Sequence, residues 1–363
     1  METLKTTSLL HEHERLGARM APFGGWIMPI QYDGILAEHR RCRESAALFD
    51  TCHMGRFLFA GDIAASGIER LFSFRLETIA VGRCRYGFLL NEQGGILDDL
   101  TVYRLAADRL MMVVNAGPEK KDFAAIQAGL GGNPLFEDLT GHAGKLDLQG
   151  PHSRDVLAEL AGDEVKDIPF FGFRRMTILG AEAIVSRTGY TGELGYEIYL
   201  GDDRVVDLWR LLLKDGRIAP AGLGARDLLR LEMGYSLYGN DLDETTTPLE
   251  AGLDRFVDLT KDFRGKDALI RQQTEGMSRV RTAFRVSSRR SPRHGYQILC
   301  RGETVGTVTS GAFSPMLGCG IGLGYVSPDC SQTGTHLEIR HEEISLEATV
   351  VELPFYRDGT LRR

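Results

Sequence analysis

The chain has 363 residues, 43% of them hydrophobic and 26% charged, with a formal net charge of −7. That length exceeds what one simple core organises and predicts two or three domains, while the acidic balance argues against a nucleic-acid protein working by bulk electrostatics. No apolar run approaches the roughly 20 residues of a membrane span, and Met1 to Arg19 mixes charges without the apolar segment of a signal peptide, so a cytoplasmic protein is expected.

The six cysteines (Cys42, Cys52, Cys84, Cys300, Cys319 and Cys330) form no CxxC pair, and the nine histidines show no metal-ligand spacing. A reducing compartment is expected, with neither a disulfide framework nor a metal site. The 43 glycines fall between short apolar-alternating runs, the pattern of strands joined by tight turns. The expected class is strand-rich α+β.

In chain order, residues 7–19 carry a short helical pattern ending near Gly17. Phe23 to Tyr32 is aromatic and glycine-broken, and irregular packing is expected there. Gly34 to Leu48 reads as a helix with Ile35, Leu36, His39, Cys42 and Ala46 near one face. A strand over Arg56 to Phe59 follows, preceded by His53 and Met54, for which the pattern favours nothing beyond core or hydrogen-bonded strand positions. A helix over Ala64 to Phe72 and a strand over Cys84 to Leu90 come next.

The stretch Gly94-Gly95-Ile96-Leu97-Asp98-Asp99-Leu100-Thr101-Val102-Tyr103 is the most informative one. The glycines allow a turn with positive φ, and the alternation after them reads as a strand. Neighbouring strand residues point to opposite faces, so one of Asp98 and Asp99 is expected to face inward, away from Leu100, and the other outward. An inward aspartate needs a hydrogen-bond partner or a ligand; a pair that merely closes a β-turn is the alternative. Arg109 to Asn115 forms a second strand, pairing as a hairpin across Ala106-Ala107-Asp108. That pairing puts Asp99 and Asn115 at the same end of the sheet, and a helix follows from Glu119.

Leu146 to Pro151 reads as strand then turn, and Ser153 to Leu160 as a helix. Ile184 to Leu200 reads as strand, glycine-punctuated loop and strand, with Tyr196, Ile198 and Leu200 on one face and Glu197 and Tyr199 on the other. An outward Glu197 is the usual case, since an inward one is costly without a partner. Ala221 to Gly234 is a glycine-led helix carrying Arg226, Asp227 and Arg230; its GLGA lead is weak evidence for a nucleotide. A further helix ends near Gln273. From Arg279 onward six short strands recur at turn-punctuated spacing, which predicts a small barrel or sandwich and a boundary near 278–280.

Several of these segments together resemble one family, the tetrahydrofolate-dependent aminomethyltransferases that form the T-protein of the glycine cleavage system. The matching pieces include Gly17-Ala18-Arg19-Met20, Phe49-Asp50-Thr51-Cys52-His53-Met54, Gly94 to Leu100 and Val113-Val114-Asn115-Ala116. They continue with Leu148-Gln149-Gly150-Pro151, Thr188-Gly189-Tyr190-Thr191-Gly192-Glu193, Gly222 to Asp227, Leu237 to Glu244 and Val308 to Pro315, in family order across nearly the whole chain. The resemblance implies a cloverleaf: two interleaved α+β folate-binding domains within residues 1–278 and a C-terminal β-barrel over 279–363.

By the same resemblance Asp99 is the catalytic aspartate, and Met54, Asn115, Tyr190, Glu197 and Arg226 are folate-binding. Glu197 is cast as the acceptor for the pterin's amide-like N–H edge, Arg226 as balancing its charge or touching the pterin carbonyl, and Tyr190 and Met54 as apolar contacts. The implied reaction moves a one-carbon unit from the S-aminomethyldihydrolipoyl arm of a lipoylated H-protein to tetrahydrofolate, its co-substrate. The products are 5,10-methylenetetrahydrofolate, ammonia and the dihydrolipoyl arm. Asp99 stabilises a cationic iminium-like intermediate, positions the folate nitrogens or shuttles a proton. The family implies a monomer that meets H-protein transiently; Arg289, Arg290 and Arg293 are candidates for the docking patch, with a solvated loop as the alternative. Two other readings are a folate-dependent demethylase of the same superfamily and a non-catalytic folate-binding module. Against the first, Gly94 to Leu100 keeps the transferase form. Against the second, the region Leu237 to Leu253 reads LYGNDLDETTTPLEAGL rather than that group's KGCYxGQE pattern.

Overall fold

The computed structural model describes residues 3–362, so that Met1, Glu2 and Arg363 of the two expected domains lie outside the described residues. Its strands form a three-stranded, a five-stranded and a six-stranded sheet and a closed six-stranded barrel. The six-stranded sheet runs, edge to edge, through Phe173–Ile178, Ala181–Ser186, Gly195–Gly201, Ala143–Gln149, Ala46–Asp50 and Ile218–Pro220. Its second-last strand is followed by residues 55–138, which build the five-stranded sheet before the chain returns at Ala143. This excursion is the expected interleaving.

Each sheet buries one face against helices. The six-stranded sheet sets Leu146, Leu148, Tyr196 and Ile198 against Leu157 of the helix Ser153–Ala161 and Trp209 of the helix Asp202–Leu212. The five-stranded sheet sets Phe57, Phe59, Leu100 and Val102 against Ile126 of the helix Glu119–Gly129. Truncating such a Leu or Phe to Ala costs about 2–5 kcal/mol. The opposite face of the five-stranded sheet is covered too: Tyr103, Met111 and Val113 cluster with Phe173 and Tyr199 of the six-stranded sheet. The two sheets therefore face one another.

The strand Ile96–Ala106 pairs antiparallel with Arg109–Val114, aligning Thr101 with Val113 and Tyr103 with Met111, as the expected hairpin requires. From Val280–Val286 onward the strands close into the barrel. The barrel is held to the helix Leu223–Glu232 by Ser314, which donates to Glu232 at 2.6 Å, and by Arg230, which donates to Ser310 at 2.8 Å.

The structure departs from the expected elements in four places. Phe23 to Tyr32 is not irregular: Arg19–Phe23 and Trp26–Gln31 form a hairpin around Gly24 and Gly25, whose φ values of 55° and 85° fit a two-residue turn with both central residues left-handed. The helix expected over Ala64 to Phe72 is only a 3₁₀ turn, Ile68–Leu71, behind the left-handed Gly67. The helix expected to reach Leu48 stops at Glu44, because all five residues of Ala46–Asp50 are buried and the strand they form has a neighbour along each edge. Finally, Asp98 and Asp99 do point to opposite faces, but neither faces solvent. The helix Glu119–Gly129 covers one face and the six-stranded sheet the other, so Asp98 is fully buried and Asp99 half-buried.

Candidate active site

Between the two facing sheets and the helix Leu223–Glu232 lies a cavity of about 840 Å³. Met54, Asp99, Asn115, Tyr190, Glu197 and Arg226 all line it. Asn115 follows the last residue of its strand, and the hairpin brings it beside Asp99. Tyr190 sits in the glycine-punctuated loop between two strands of the six-stranded sheet, and Arg226 in the first turn of its helix.

Asp99 is clamped from two directions. Its Oδ2 accepts from the Tyr86 hydroxyl at 2.9 Å and its Oδ1 from the Asn115 amide at 2.9 Å. The same amide nitrogen donates to Asp98 Oδ1 at 2.8 Å and to the Asp99 carbonyl at 3.0 Å, while the Asn115 backbone N–H donates to Asp98 Oδ2 at 2.9 Å. Burial pushes Asp99 up to about 6, with the Tyr86 and Asn115 hydrogen bonds opposing the rise. Asp98 is raised as well, by burial and then by the charge of Asp99.

Glu197 faces inward. Its Oε1 accepts from the Lys145 ammonium at 2.5 Å, and its Oε2 from Thr188 at 2.6 Å and from Tyr103 and Tyr199 at 3.2 Å each. Burial works against its charge, but Lys145 and Thr188 outweigh it and hold the carboxyl down at about 2. Glu197 is thus a permanent anion with one Oε1 lone pair free of protein donors. The cation bonded to it is Lys145, with Arg226 adding a weaker, unbonded attraction. Arg226 pairs instead with the fully buried Asp147, which also accepts from Gln149 at 2.5 Å. Its guanidinium lies 5.2 Å from the centroid of the Tyr190 ring, a cation–π contact. Tyr190 is stacked at 5.7 Å on Tyr235 and donates its hydroxyl to the Ser236 carbonyl, so the ring is fixed.

His53 also lines the cavity. Burial drives it down to about 3, so it is neutral, and Phe23 packs edge-on at 5.6 Å. Residues the sequence reading passed over are Tyr86, Lys145, Asp147 and Thr188. A signal for two of them was present: in Ala143–Gln149 the polar Lys145, Asp147 and Gln149 alternate with Leu146 and Leu148, a polar face turned inward. No pattern pointed to Tyr86 or Thr188, whose partners come from 13 and 9 residues away.

The sequence matches two family profiles, the GCVT N-terminal domain over residues 9–261 and the glycine cleavage T-protein C-terminal barrel domain over residues 279–357. It is 42% identical over 356 residues to an aminomethyltransferase of Halothermothrix orenii, covering 97% of this chain and 100% of that one. It is 43% identical over 369 residues to an aminomethyltransferase of Symbiobacterium thermophilum, covering 98% of each. The fold superposes on the crystal structure of the glycine cleavage system aminomethyltransferase T from Bartonella henselae with a TM-score of 0.93, at 34% identity over 99% of both chains. With its two interleaved sheets, its barrel and these full-length relatives, the chain belongs to the glycine cleavage T-protein family of aminomethyltransferases.

Proposed function

We propose that this protein is the aminomethyltransferase of a glycine cleavage system. It takes the one-carbon unit from the S-aminomethyldihydrolipoyl arm of a lipoylated H-protein and yields 5,10-methylenetetrahydrofolate, ammonia and the dihydrolipoyl arm. The observation carrying this reading is the convergence of Asp99, Asn115, Glu197, Met54, Tyr190 and Arg226 on one cavity of about 840 Å³, a size typical of small-molecule sites.

The residues present suit tetrahydrofolate, which supplies the nitrogen that takes up the methylene. A flat ring with an amide-like N–H edge needs apolar walls and a charged acceptor. Tyr190 and Met54 provide the walls, and Glu197, kept ionised by Lys145 at 2.5 Å, provides the acceptor. Because Glu197 is already desolvated and oriented, a ligand without matching donors leaves it unpaired and binds poorly. Asp99 is the catalytic group. Tyr86 and Asn115 fix its carboxylate where positive charge develops on the transferred carbon, so little reorganisation is needed.

We further propose that the chain divides into a folate-binding region, 1–278, and a barrel domain, 279–363. It acts in the cytoplasm as a monomer that meets H-protein transiently. Six free cysteines, five of them buried, agree with a reducing compartment. Arg289, Arg290 and Arg293 are exposed on the barrel and available to an acidic partner.

The test is a coupled assay with the full chain, aminomethylated H-protein and tetrahydrofolate, following ammonia and 5,10-methylenetetrahydrofolate together. Folate-dependent release of both products is expected. Folate binding without either product would point to another one-carbon donor and overturn the assignment.

A further inference from the structure

On the far side of the hairpin from the cavity, the helix Glu119–Gly129 buries Glu119, Asp122 and Ile126 along one face. Asp122 is 0% exposed, and neither of its carboxylate oxygens has a hydrogen-bond donor beside it. The group it reaches is another carboxyl, Asp98, which is also 0% exposed. Two carboxylates in contact in a buried place cannot both be ionised, so the pair holds a proton. The hydrogen bonds decide which member carries it. Asp98 accepts two N–H groups from Asn115, at 2.8 and 2.9 Å, which favours its anion; Asp122 has no such donors and takes the proton.

We propose that Asp122 is a positioning residue for the transferase site: as a neutral acid donating to Asp98, it keeps Asp98 a pure acceptor and so fixes the orientation of the Asn115 amide that serves Asp99. The two ends of that amide are chemically opposite, NH₂ as donor and oxygen as acceptor. While Asp98 is an anion, only the NH₂ end can face it, and the same NH₂ reaches Asp99 Oδ1 at 2.9 Å. Were Asp98 to take up a proton itself, its hydroxyl would draw the amide oxygen. The flipped amide would then set a lone pair against the Asp99 carboxylate. Burial and the charge of Asp98 raise Asp122, while the two N–H donors from Asn115 oppose the rise that burial and the charge of Asp99 impose on Asp98, which agrees with the proton residing on Asp122. The other titratable groups facing the pair are Asp99 from the hairpin, Lys121 from the same helix, and Tyr238 from the segment after Leu223–Glu232. Lys121 is engaged with Glu244 at 2.6 Å and Tyr238 at 3.1 Å.

The activity arm of the test rests on the aminomethyltransferase reading; the spectroscopic arm does not. Asp122→Leu removes the donor at similar volume, and Asp122→Asn restores a donor to Asp98 without a titrating proton. In Asp122→Leu, turnover at neutral pH is expected to fall about tenfold, and the acidic limb of kcat to move up by about one pH unit, with folate affinity within about threefold of the parent. Asp122→Asn is expected to recover most of both effects. Loss of turnover with an unmoved limb, or no recovery in Asp122→Asn, would overturn the proposal and leave Asp122 a packing residue. Infrared spectra of the unliganded full chain at about pH 8, where isolated carboxyls are ionised, are expected to show a protonated carboxylic acid that disappears in Asp122→Asn. Its absence from the parent overturns the acid pair even if Asp122→Leu does not fold. A parent protein that shows the acid but makes no product overturns the functional reading instead.

Discussion

The side-chain nitrogen of Asn115 stands 2.9 Å from Oδ1 of Asp99 and donates to it. The hairpin makes this contact inevitable: Thr101 pairs with Val113, so two residues beyond that pair on each strand lie Asp99 and Asn115. With Tyr86 on the other oxygen at 2.9 Å, the carboxylate has no freedom to rotate away from the cavity.

If that fixed charge drives the reaction, Asp99→Asn should lower kcat by about 10²-fold or more, as removal of an electrostatic stabiliser does elsewhere. Tetrahydrofolate affinity, measured by calorimetry, should change by less than about threefold. Equal losses in turnover and affinity would make Asp99 a binding group only.

The pH profile has a definite sign. Asp99 must be ionised to act, and burial raises it from 3.8 to about 6. Activity should therefore fall as the pH drops through about 6 and level off above about 7. In Asn115→Leu the Asp99 anion loses a donor, and the limb should shift further upward. A flat profile from pH 5 to 8 would contradict the assignment.

Lys145 and Glu197 form an ion pair with side chains 0% and 13% exposed. Removing one partner strands the other, at about 3–5 kcal/mol, whereas removing both is far cheaper. Lys145→Met should thus be more destabilised in urea than the double variant Lys145→Met/Glu197→Gln. Both should bind folate weakly, the double variant because the anionic acceptor is gone and Lys145→Met because Glu197 loses the cation that keeps it ionised and oriented. Additive losses of stability would mean that the pair is not coupled.

Glu197 and Asp50 are both held down at about 2, from ordinary values of 4.5 and 3.8. In each, burial is outweighed, by Lys145 and Thr188 for Glu197 and by His13 and Thr7 for Asp50. A depressed carboxyl contributes stability above its unfolded pKa and loses it as pH falls through the folded one. The thermal midpoint should accordingly drop steeply between about pH 4.5 and pH 2, and Glu197→Gln should flatten part of that slope. An unchanged slope would count against the pairing.

Gly95 shows why the double glycine matters. Gly94 takes φ = 80°, the left-handed turn position, but at Gly95 the constraint is space: a Cβ would come within 1.9 Å of the Glu244 carbonyl oxygen. That backbone cannot yield as a side chain would. Gly95→Ala should cost about 1–3 kcal/mol in urea unfolding, and a neutral result would show that the segment 243–246 moves freely.

Much of the fold was legible because its signals are local. The strands of the hairpin, the helix after Asn115, the alternation that puts Glu197 and Tyr199 on one face, and the change of texture near residue 279 all follow from period-2 or period-3.6 patterns and glycine turns. Where the reading failed, a longer-range effect had won. Ala46 to Leu48 looked like the end of a helix because Ala and Leu are strong helix formers, and only pairing with Leu146–Gln149 and Ile218–Pro220 makes it part of a strand. The six site residues could be named from the sequence only through family resemblance, since they are spread from Met54 to Arg226.

By itself, then, the sequence determined most of the strands and turns around the site, which residue types were on hand for the chemistry, and which family they resemble. These are properties of short stretches, set by side-chain alternation and backbone preference. Only the tertiary structure decided the electrostatics. Asp98 and Asp99 are both enclosed because two sheets and a helix close over the hairpin. Glu197 is charged because Lys145, 52 residues earlier in the chain, meets it across neighbouring strands. Arg226 is committed to Asp147 instead. Whether a buried carboxyl keeps its charge depends on which donors lie within about 3 Å and how much water is excluded. Neither quantity exists until distant segments have packed together.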